Sequence, residues 1–271
     1  MGSEDGIFPA DGEGPVREVT VSPFAISAHA VTNEQFAAFV SATGYRTDAE
    51  RAGSSFVFAG FVHPSARDSV RGRVVGTPWW ADVAGASWRA PEGPGSSIDD
   101  RLDHPVVHVS HGDALAFCAA HGSQLPTEAE WEFAARGGLD QRRYPWGDVL
   151  RPRGAWRCNV WQGTFPGHNN AEDGFTGSAP VDAFEPNAYG LYNMVGNVWE
   201  WCSDWFSSRP PAGRQHDPTG PAAGSARVIR GGSYLCHDSY CFRYRVAARS
   251  SNTPDSSTAH TGFRIVSSRA C

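Results

Sequence analysis

The 271-residue chain contains no lysine, and all 23 of its basic residues are arginine. Lysine-nucleophile and Schiff-base chemistry are therefore excluded. A formal net charge of -6 leaves no basic footprint, which argues against nucleic acid and anionic membranes as partners. No run of 18 apolar residues is present, and residues 1–6 lack the features of a secretion signal. We therefore expect a cytoplasmic protein without a membrane partner.

Charged residues are also scarce, at 19%, whereas Gly (30), Pro (19) and Trp (10) are abundant. This composition favours loops and buried aromatic side chains over long helices. We predict one α+β domain over residues 1–271, with little regular secondary structure and few strands in its second half. Residues 41–103 show little periodicity and predict irregular structure held by aromatic side chains.

A few elements stand out within this loop-rich chain. Thr127 and Glu130 form a capping-box pattern, and Gly137 marks the end of the same helix. Helices are also predicted over 31–40 and 113–120, and strands over 19–26 and 261–266.

Cys236 and Cys241 are the most informative pair of residues, because they lie five positions apart among Gly, Ser and aromatic residues. Neither a helix nor a strand brings side chains at that spacing together, so the thiols converge only across a loop. The pair could form a structural disulfide, half of a zinc site, or a reactive dithiol. The zinc alternative is weakened because the remaining cysteines are scattered singly, at Cys118, Cys158, Cys202 and Cys271.

Four motifs together resemble the sulfatase-modifying factor superfamily. They begin at Leu125 (LPTEAEWE), Gly190 (GLYNMVGNVWEW), Arg230 (RGGSY) and Thr261 (TGFR). The stretches 236–245 and 248–257 resemble the formylglycine-generating enzymes in particular. The resemblance implies their fold, a variant of the C-type-lectin-like domain. It also implies an O2-using oxidase that converts the Cys of a Cys-x-Pro-x-Arg segment, in an unfolded sulfatase, into Cα-formylglycine.

The resemblance further implies that Cys236 and Cys241 hold Cu(I), a soft ion suited to thiolates. The substrate thiol would bind the copper, and oxygen would remove a hydrogen from the substrate Cβ before hydrolysis releases the aldehyde. A metal-free alternative is a mixed disulfide between the substrate and Cys241, resolved by Cys236.

Further site residues follow from matching positions in the family. Ser233 would hydrogen-bond a reduced oxygen species, and Trp199 would exclude water, although a buried Trp is also a common core residue. The positions expected to bind substrate are Tyr240, His237, Ser257 and His260, and Tyr240 or His237 could equally be an ordinary loop residue.

Two Ca2+ ions are also implied by the resemblance, since hard cations take oxygen ligands from irregular backbone. Without it, the same residues would be interpreted as turn and cap positions. One ion would bind the side chains of Asn159 and Asp173 and the carbonyls of Val160 and Phe175. The other would bind the side chains of Asn193 and Glu200 and the carbonyls of Gly196 and Val198.

The chain departs from the family at several positions. His260 stands where Asn is expected, in the stretch that would bind substrate, and His111 replaces a Trp. Val246, Ile265 and Ala135 occupy positions that hold cysteine in secreted animal members, so those disulfides cannot form. Their absence supports a reducing compartment.

Two other function classes compete with the oxidase. A non-catalytic C-type-lectin-like binding module would keep the scaffold and join Cys236 to Cys241 in a plain disulfide. A non-haem iron enzyme of the sulfoxide synthase type needs a 2-His-1-carboxylate site. The sequence contains no His-x3-His-x-Glu helix that would supply one.

Overall fold

The computed structural model describes residues 1–211 and 213–268, so Cys271 lies outside the described residues. Within them, helices are short and strands are spread over several small sheets. The helices are α1 (Asn33–Thr43), α2 (Asp48–Ala52), α3 (His111–Ala120) and α4 (Glu128–Arg136). The strands are β1 (Val19–Thr20), β2 (Phe24–Ile26), β3 (Ser54–Phe58), β4 (Val70–Val74), β5 (Thr77–Ala84), β6 (Gly163–Thr164), β7 (His168–Asn169), β8 (Trp199–Trp205), β9 (Gln215–His216), β10 (Arg227–Arg230), β11 (Arg249–Asn252), β12 (Thr261–Gly262) and β13 (Val266–Ser268).

Each of the four helices begins with a capping box. In α4 the Thr127 hydroxyl accepts from the Glu130 N–H, and Gly137 ends the helix in the left-handed region, as predicted. Helix α3 begins two residues earlier than predicted because the Ser110 side chain caps it.

The prediction of irregular structure over 41–103 is wrong. This stretch contains α2 and a three-stranded antiparallel sheet in the order β3-β5-β4. The pairing of β4 with β5 shifts register twice, which breaks the two-residue alternation that identifies a strand in a sequence. Strand β5 also places two adjacent tryptophans, Trp79 and Trp80, beside the candidate site.

A four-stranded sheet, in the order β11-β10-β8-β12, forms the centre of the second half of the chain. The second half is therefore less strand-poor than predicted. The segment 261–266, predicted as one strand, begins with β12, parallel to β8, and ends where β13 starts to pair with β2.

A buried ionic cluster joins α4 to this sheet. The Arg230 side chain is fully buried, and its guanidinium donates to Glu128 and Glu132 at 2.8 and 2.7 Å. Arg249 from β11 donates to the other oxygen of Glu128 at 2.6 Å. Because Arg230 ends β10, the cluster fixes where the following loop, residues 231–245, leaves the sheet.

Candidate active site

Local turns in the 231–245 loop bring the two cysteines together. Gly231 and Gly232 both have positive φ, at 93° and 73°, where a side chain would be strained. A Cβ at Gly232 would also lie 3.0 Å from the Tyr244 nitrogen. The Cys236 N–H then donates to the Ser233 carbonyl at 2.8 Å, and the Cys241 N–H donates to the His237 carbonyl at 2.7 Å.

Cys236 and Cys241 are both free thiols, and both are buried. Burial and the neighbouring Cys241 raise the pKa of Cys236. The pKa of Cys241 is lowered instead, because a hydrogen bond from Cys236 and the charge of Arg243 together outweigh burial. The first thiolate of the pair therefore forms at Cys241, with Cys236 as its donor.

The pKa values of the remaining described cysteines are shifted in the opposite direction to that of Cys241. Burial raises the pKa of Cys118 to about 11, and it also raises the pKa values of Cys158 and Cys202. Among the described cysteines, Cys241 alone has a lowered pKa, which is the shift expected for the reactive member of a dithiol.

The dithiol lies in an open cleft of about 380 Å3. Trp79, Trp80 and Phe56 form an apolar wall, while Ser250 and Asn252 of the edge strand β11 supply polar groups. Such a cleft, apolar with a few convergent polar groups, is typical of a small-ligand or peptide site.

Four other residues proposed from the sequence line this cleft with the cysteines: Ser233, Trp199, Tyr240 and His260. Trp199 is only 4% exposed, so it is both a core residue and part of the cleft wall. Tyr240 is 38% exposed and stacks on Phe165 with ring centroids 4.6 Å apart. Burial, with a smaller effect of His108, lowers the pKa of His260 to about 3, so its ring is neutral at physiological pH.

Two of the proposed substrate-binding side chains do not line the cleft. The Ser257 hydroxyl is buried and lies 2.8 Å from the Ser55 hydroxyl. The His237 Nδ1 lies 2.8 Å from the Ser239 hydroxyl, beside Asp238. A motif match gives the position of such residues along the chain but not the direction of their side chains.

Sequence reasoning missed Arg243, which lines the cleft and lowers the pKa of Cys241. Its Nε donates to the Asp11 carboxylate at 2.6 Å, and its guanidinium lies 3.9 Å from the centroid of the Phe8 ring. The sequence does show Arg243 as a cation close to a thiol, because it lies two residues after Cys241. Asp11 carries no such signal, because it is 232 positions away in sequence.

The side chains predicted to bind the first calcium ion differ in how their oxygens are used. The Asn159 Oδ1 is buried without a hydrogen-bond partner. The Asp173 carboxylate accepts from the N–H groups of Val160 and Phe175 at 3.1 and 3.0 Å. Gln162, which the sequence analysis missed, donates to the Val160 carbonyl and to Asp173. An orphaned amide oxygen is the kind of ligand that a hard cation takes, so Asn159 fits the predicted ion, whereas the Asp173 carboxylate and the Val160 carbonyl already accept hydrogen bonds.

The second predicted calcium position shows the same orphaned oxygen at Asn193, whose Nδ2 donates to the Val181 carbonyl at 2.9 Å. The Glu200 carboxylate, by contrast, already accepts three hydrogen bonds. It accepts two bonds from Arg264, at 2.6 and 2.8 Å, and one from the Trp131 indole at 2.7 Å. A carboxylate has about four acceptor positions, so one remains on Glu200 Oε1.

No group of three or more His, Cys, Asp or Glu side chains is placed to hold a metal ion within residues 1–211 and 213–268. The described part of the chain thus offers no 2-His-1-carboxylate iron site, and His260 does not join the two cysteines as a third ligand. In the same residues, no helix is long and apolar enough to cross a membrane.

Known proteins similar in sequence to this chain support the resemblance to the sulfatase-modifying factor superfamily. A family model described as "Sulfatase-modifying factor enzyme 1-like domain" matches residues 1–269. A Thermomonospora curvata protein named "Formylglycine-generating enzyme" is 65% identical, covering 97% of this chain and 88% of its own length. One of the same name from Streptomyces coelicolor is 62% identical, covering 95% and 82%.

Solved structures add evidence for the fold alone. PvdO from Pseudomonas aeruginosa superposes with a TM-score of 0.71 over 99% of this chain and 90% of PvdO, at 24% identity. The predicted fold class, α+β with low regular secondary structure, is confirmed.

Proposed function

Because the chain belongs to the sulfatase-modifying factor family, we propose that it is an enzyme that converts a cysteine of sulfatases into Cα-formylglycine. We propose further that it is an oxidase that uses O2 and acts on an unfolded Cys-x-Pro-x-Arg segment. The observation that carries the proposal is the pair of free thiols in an open cleft, one of them with a lowered pKa.

Cys236 and Cys241 would hold the metal, because a pair of cysteine sulfur donors suits the soft ion Cu(I). Copper bound there would supply a centre at which O2 can be used to oxidise the substrate cysteine. Overall, the substrate thiol, O2 and two electrons with two protons from a thiol reductant give the aldehyde, hydrogen sulfide and water. A reducing cytoplasm would keep both cysteines available.

The chain's own residues would bind and orient the substrate. Trp79 and Trp80 offer an apolar surface to the peptide, and Ser250 and Asn252 offer hydrogen bonds. Trp199 excludes water beside the sulfur atoms, and Ser233 contacts Cys236 directly. Because Cys236 and Cys241 are both buried, a substrate thiol must pass below the surface to reach them, which supports an unfolded segment as the substrate.

Calcium would have a structural role. The orphaned oxygens of Asn159 and Asn193 support one ion at each position. Most of the predicted ligands lie in loops, and an ion that binds only the folded chain stabilises it.

Metal-free thiol exchange is a second candidate mechanism. It would begin with oxidation of the free pair by O2 to a Cys236–Cys241 disulfide. The substrate thiolate would then attack the Cys241 sulfur and form the mixed disulfide, with Cys236 leaving as a thiol that can later resolve it. The binding-module alternative is less well supported. It requires a Cys236–Cys241 disulfide, whereas both cysteines are free in the structure.

Turnover of a Cys-x-Pro-x-Arg peptide, followed by mass spectrometry, tests the proposal. We would compare apo protein, protein with one equivalent of Cu(I), and the variants Cys236→Ala and Cys241→Ala. Cys118→Ala is the matched control, because this buried thiol lies in α3 and does not line the cleft. Aldehyde formation that needs copper and both cleft thiols is the expected result. Copper-independent turnover would favour thiol exchange, and no product from folded, copper-loaded protein would overturn the proposed activity.

A further inference from the structure

His260 is held in the cleft by contacts on both its backbone and its ring. The Trp199 N–H donates to the His260 carbonyl at 2.8 Å. The ring meets Trp80 edge-on, with centroids 4.6 Å apart. Its Nδ1 lies 3.0 Å from the Ser233 Oγ. These contacts leave the imidazole little rotational freedom, so its bond to Ser233 is a fixed feature of the cleft.

Ser233 in turn is tied to Cys236 through its backbone. The Ser233 carbonyl accepts from the Cys236 N–H at 2.8 Å, and the Ser233 N–H points at the Cys236 Sγ at 3.4 Å. Ser233 is completely buried from bulk solvent. Whatever sets the direction of its hydroxyl therefore acts next to the dithiol.

The direction of that hydroxyl depends on which nitrogen of His260 carries the proton. A serine hydroxyl has one hydrogen and two acceptor positions. The Leu235 N–H occupies one acceptor position, at 3.3 Å. If Nδ1 carries the imidazole proton, it fills the second, and the serine hydrogen is left to point into the cleft. If Nδ1 is bare, it takes the serine hydrogen instead.

We propose that His260 is a positioning residue that, through an Nδ1–H bond to Ser233, holds the serine hydroxyl as a hydrogen-bond donor facing the dithiol. The inference rests on the proposed function and names a residue that acts through Ser233. Ser233 lines the cleft with the two cysteines, and its side chain is within hydrogen-bond reach of Cys236, so it is the member of the pair placed to donate to the reacting atoms. A direct ligand role for His260 is excluded, because it forms no three-ligand cluster with the cysteines among the described residues.

Three variants separate a positioning role from packing. His260→Phe keeps a ring against Trp80 but removes both nitrogens. His260→Asn keeps a side-chain donor, and Ser233→Ala removes the hydroxyl. We expect His260→Phe and Ser233→Ala to lower kcat by about tenfold to a hundredfold, the effect of losing one hydrogen bond to a charged group, with little change in the peptide KM. The double variant should be no slower than either single variant, and His260→Asn should recover part of kcat.

A second readout does not depend on activity. The 15N chemical shifts of the His260 ring in the resting protein should show a protonated Nδ1 and a bare Nε2, and the Nδ1 signal should move in Ser233→Ala. A bare Nδ1 would overturn the proposal, and this measurement stands even if His260→Phe fails to fold.

The two proposals fail in different ways. A copper-loaded wild type that forms no aldehyde contradicts the proposed function whatever the state of His260. Wild-type kcat in a folded His260→Phe variant contradicts the positioning role alone, as do losses that multiply in the double variant.

Discussion

Removing the charge of Glu132 should cost a large part of the protein's stability. Glu132 is 1% exposed, and its carboxylate accepts from Arg230 and Arg136, each at 2.7 Å. A Glu132→Gln substitution keeps the shape of the side chain but leaves the fully buried Arg230 with Glu128 as its only acidic partner, itself shared with Arg249. The perturbation is therefore electrostatic rather than steric.

The expected magnitude follows from the pKa of Glu132. Burial alone would raise it, but the charges of Arg230 and Arg136 outweigh burial and bring the pKa from 4.5 to about 2. That difference corresponds to about 3 kcal/mol at neutral pH, in line with the roughly 3–5 kcal/mol lost when a buried pair is broken. Because the folded-state pKa lies below the unfolded one, this stability is complete above about pH 4.5 and is lost as the pH falls through about 2.

Urea unfolding at neutral pH checks this value. Glu18→Gln is the matched control, since Glu18 forms an exposed pair with Arg214 at 2.8 Å and should change stability by less than about 1 kcal/mol. Equal losses in the two variants, or a Glu132→Gln loss below about 1 kcal/mol, would refute the reasoning. The wild type should also lose its advantage over Glu132→Gln when both are unfolded near pH 2.

Three other outcomes are expected. Iodoacetamide should alkylate Cys241 before Cys118, because only Cys241 has a lowered pKa, and peptide mapping that finds Cys118 labelled first would contradict this. Calcium chelation should lower the Tm of the wild type and have a smaller effect on Asn159→Ala, whereas a Tm that is insensitive to chelator would remove the calcium proposal. Trp79→Ala should raise the peptide KM more than it lowers kcat, because Trp79 packs on Tyr240 in the cleft wall, with ring centroids 4.8 Å apart. Steady-state kinetics with an unchanged KM would exclude a role of Trp79 in binding the peptide.

The parts of the fold that the sequence predicted best depend on local interactions. Helix α4 was identifiable because the Thr127 cap, its Glu130 partner and the Gly137 stop all lie within one short segment. The β3-β5-β4 sheet was missed because β4 pairs with β5 across two register shifts and β5 carries two adjacent tryptophans, so no simple alternation marks these strands.

The candidate site also combines residues that local motifs predict with contacts that only the structure shows. The cysteine pair, Ser233 and Trp199 come from motifs, and the structure brings them to one cleft. The orientation of Ser257 toward Ser55 depends on a contact 202 positions away in sequence, and no local pattern encodes it. The Arg243 ion pair with Asp11 is equally long-range and could not be predicted, although Arg243 itself lies only two residues after Cys241.

The most direct test of the central claim compares aerobic and anaerobic incubation of the copper-loaded wild type with a Cys-x-Pro-x-Arg peptide and a thiol reductant. Mass spectrometry would record the exchange of the cysteine sulfur for an aldehyde oxygen. The account predicts aldehyde in air only, with O2 consumed in proportion to product and no product from Cys236→Ala or Cys241→Ala. Product formed without O2, or formed equally by either variant, would contradict an oxidase built on the 236/241 dithiol.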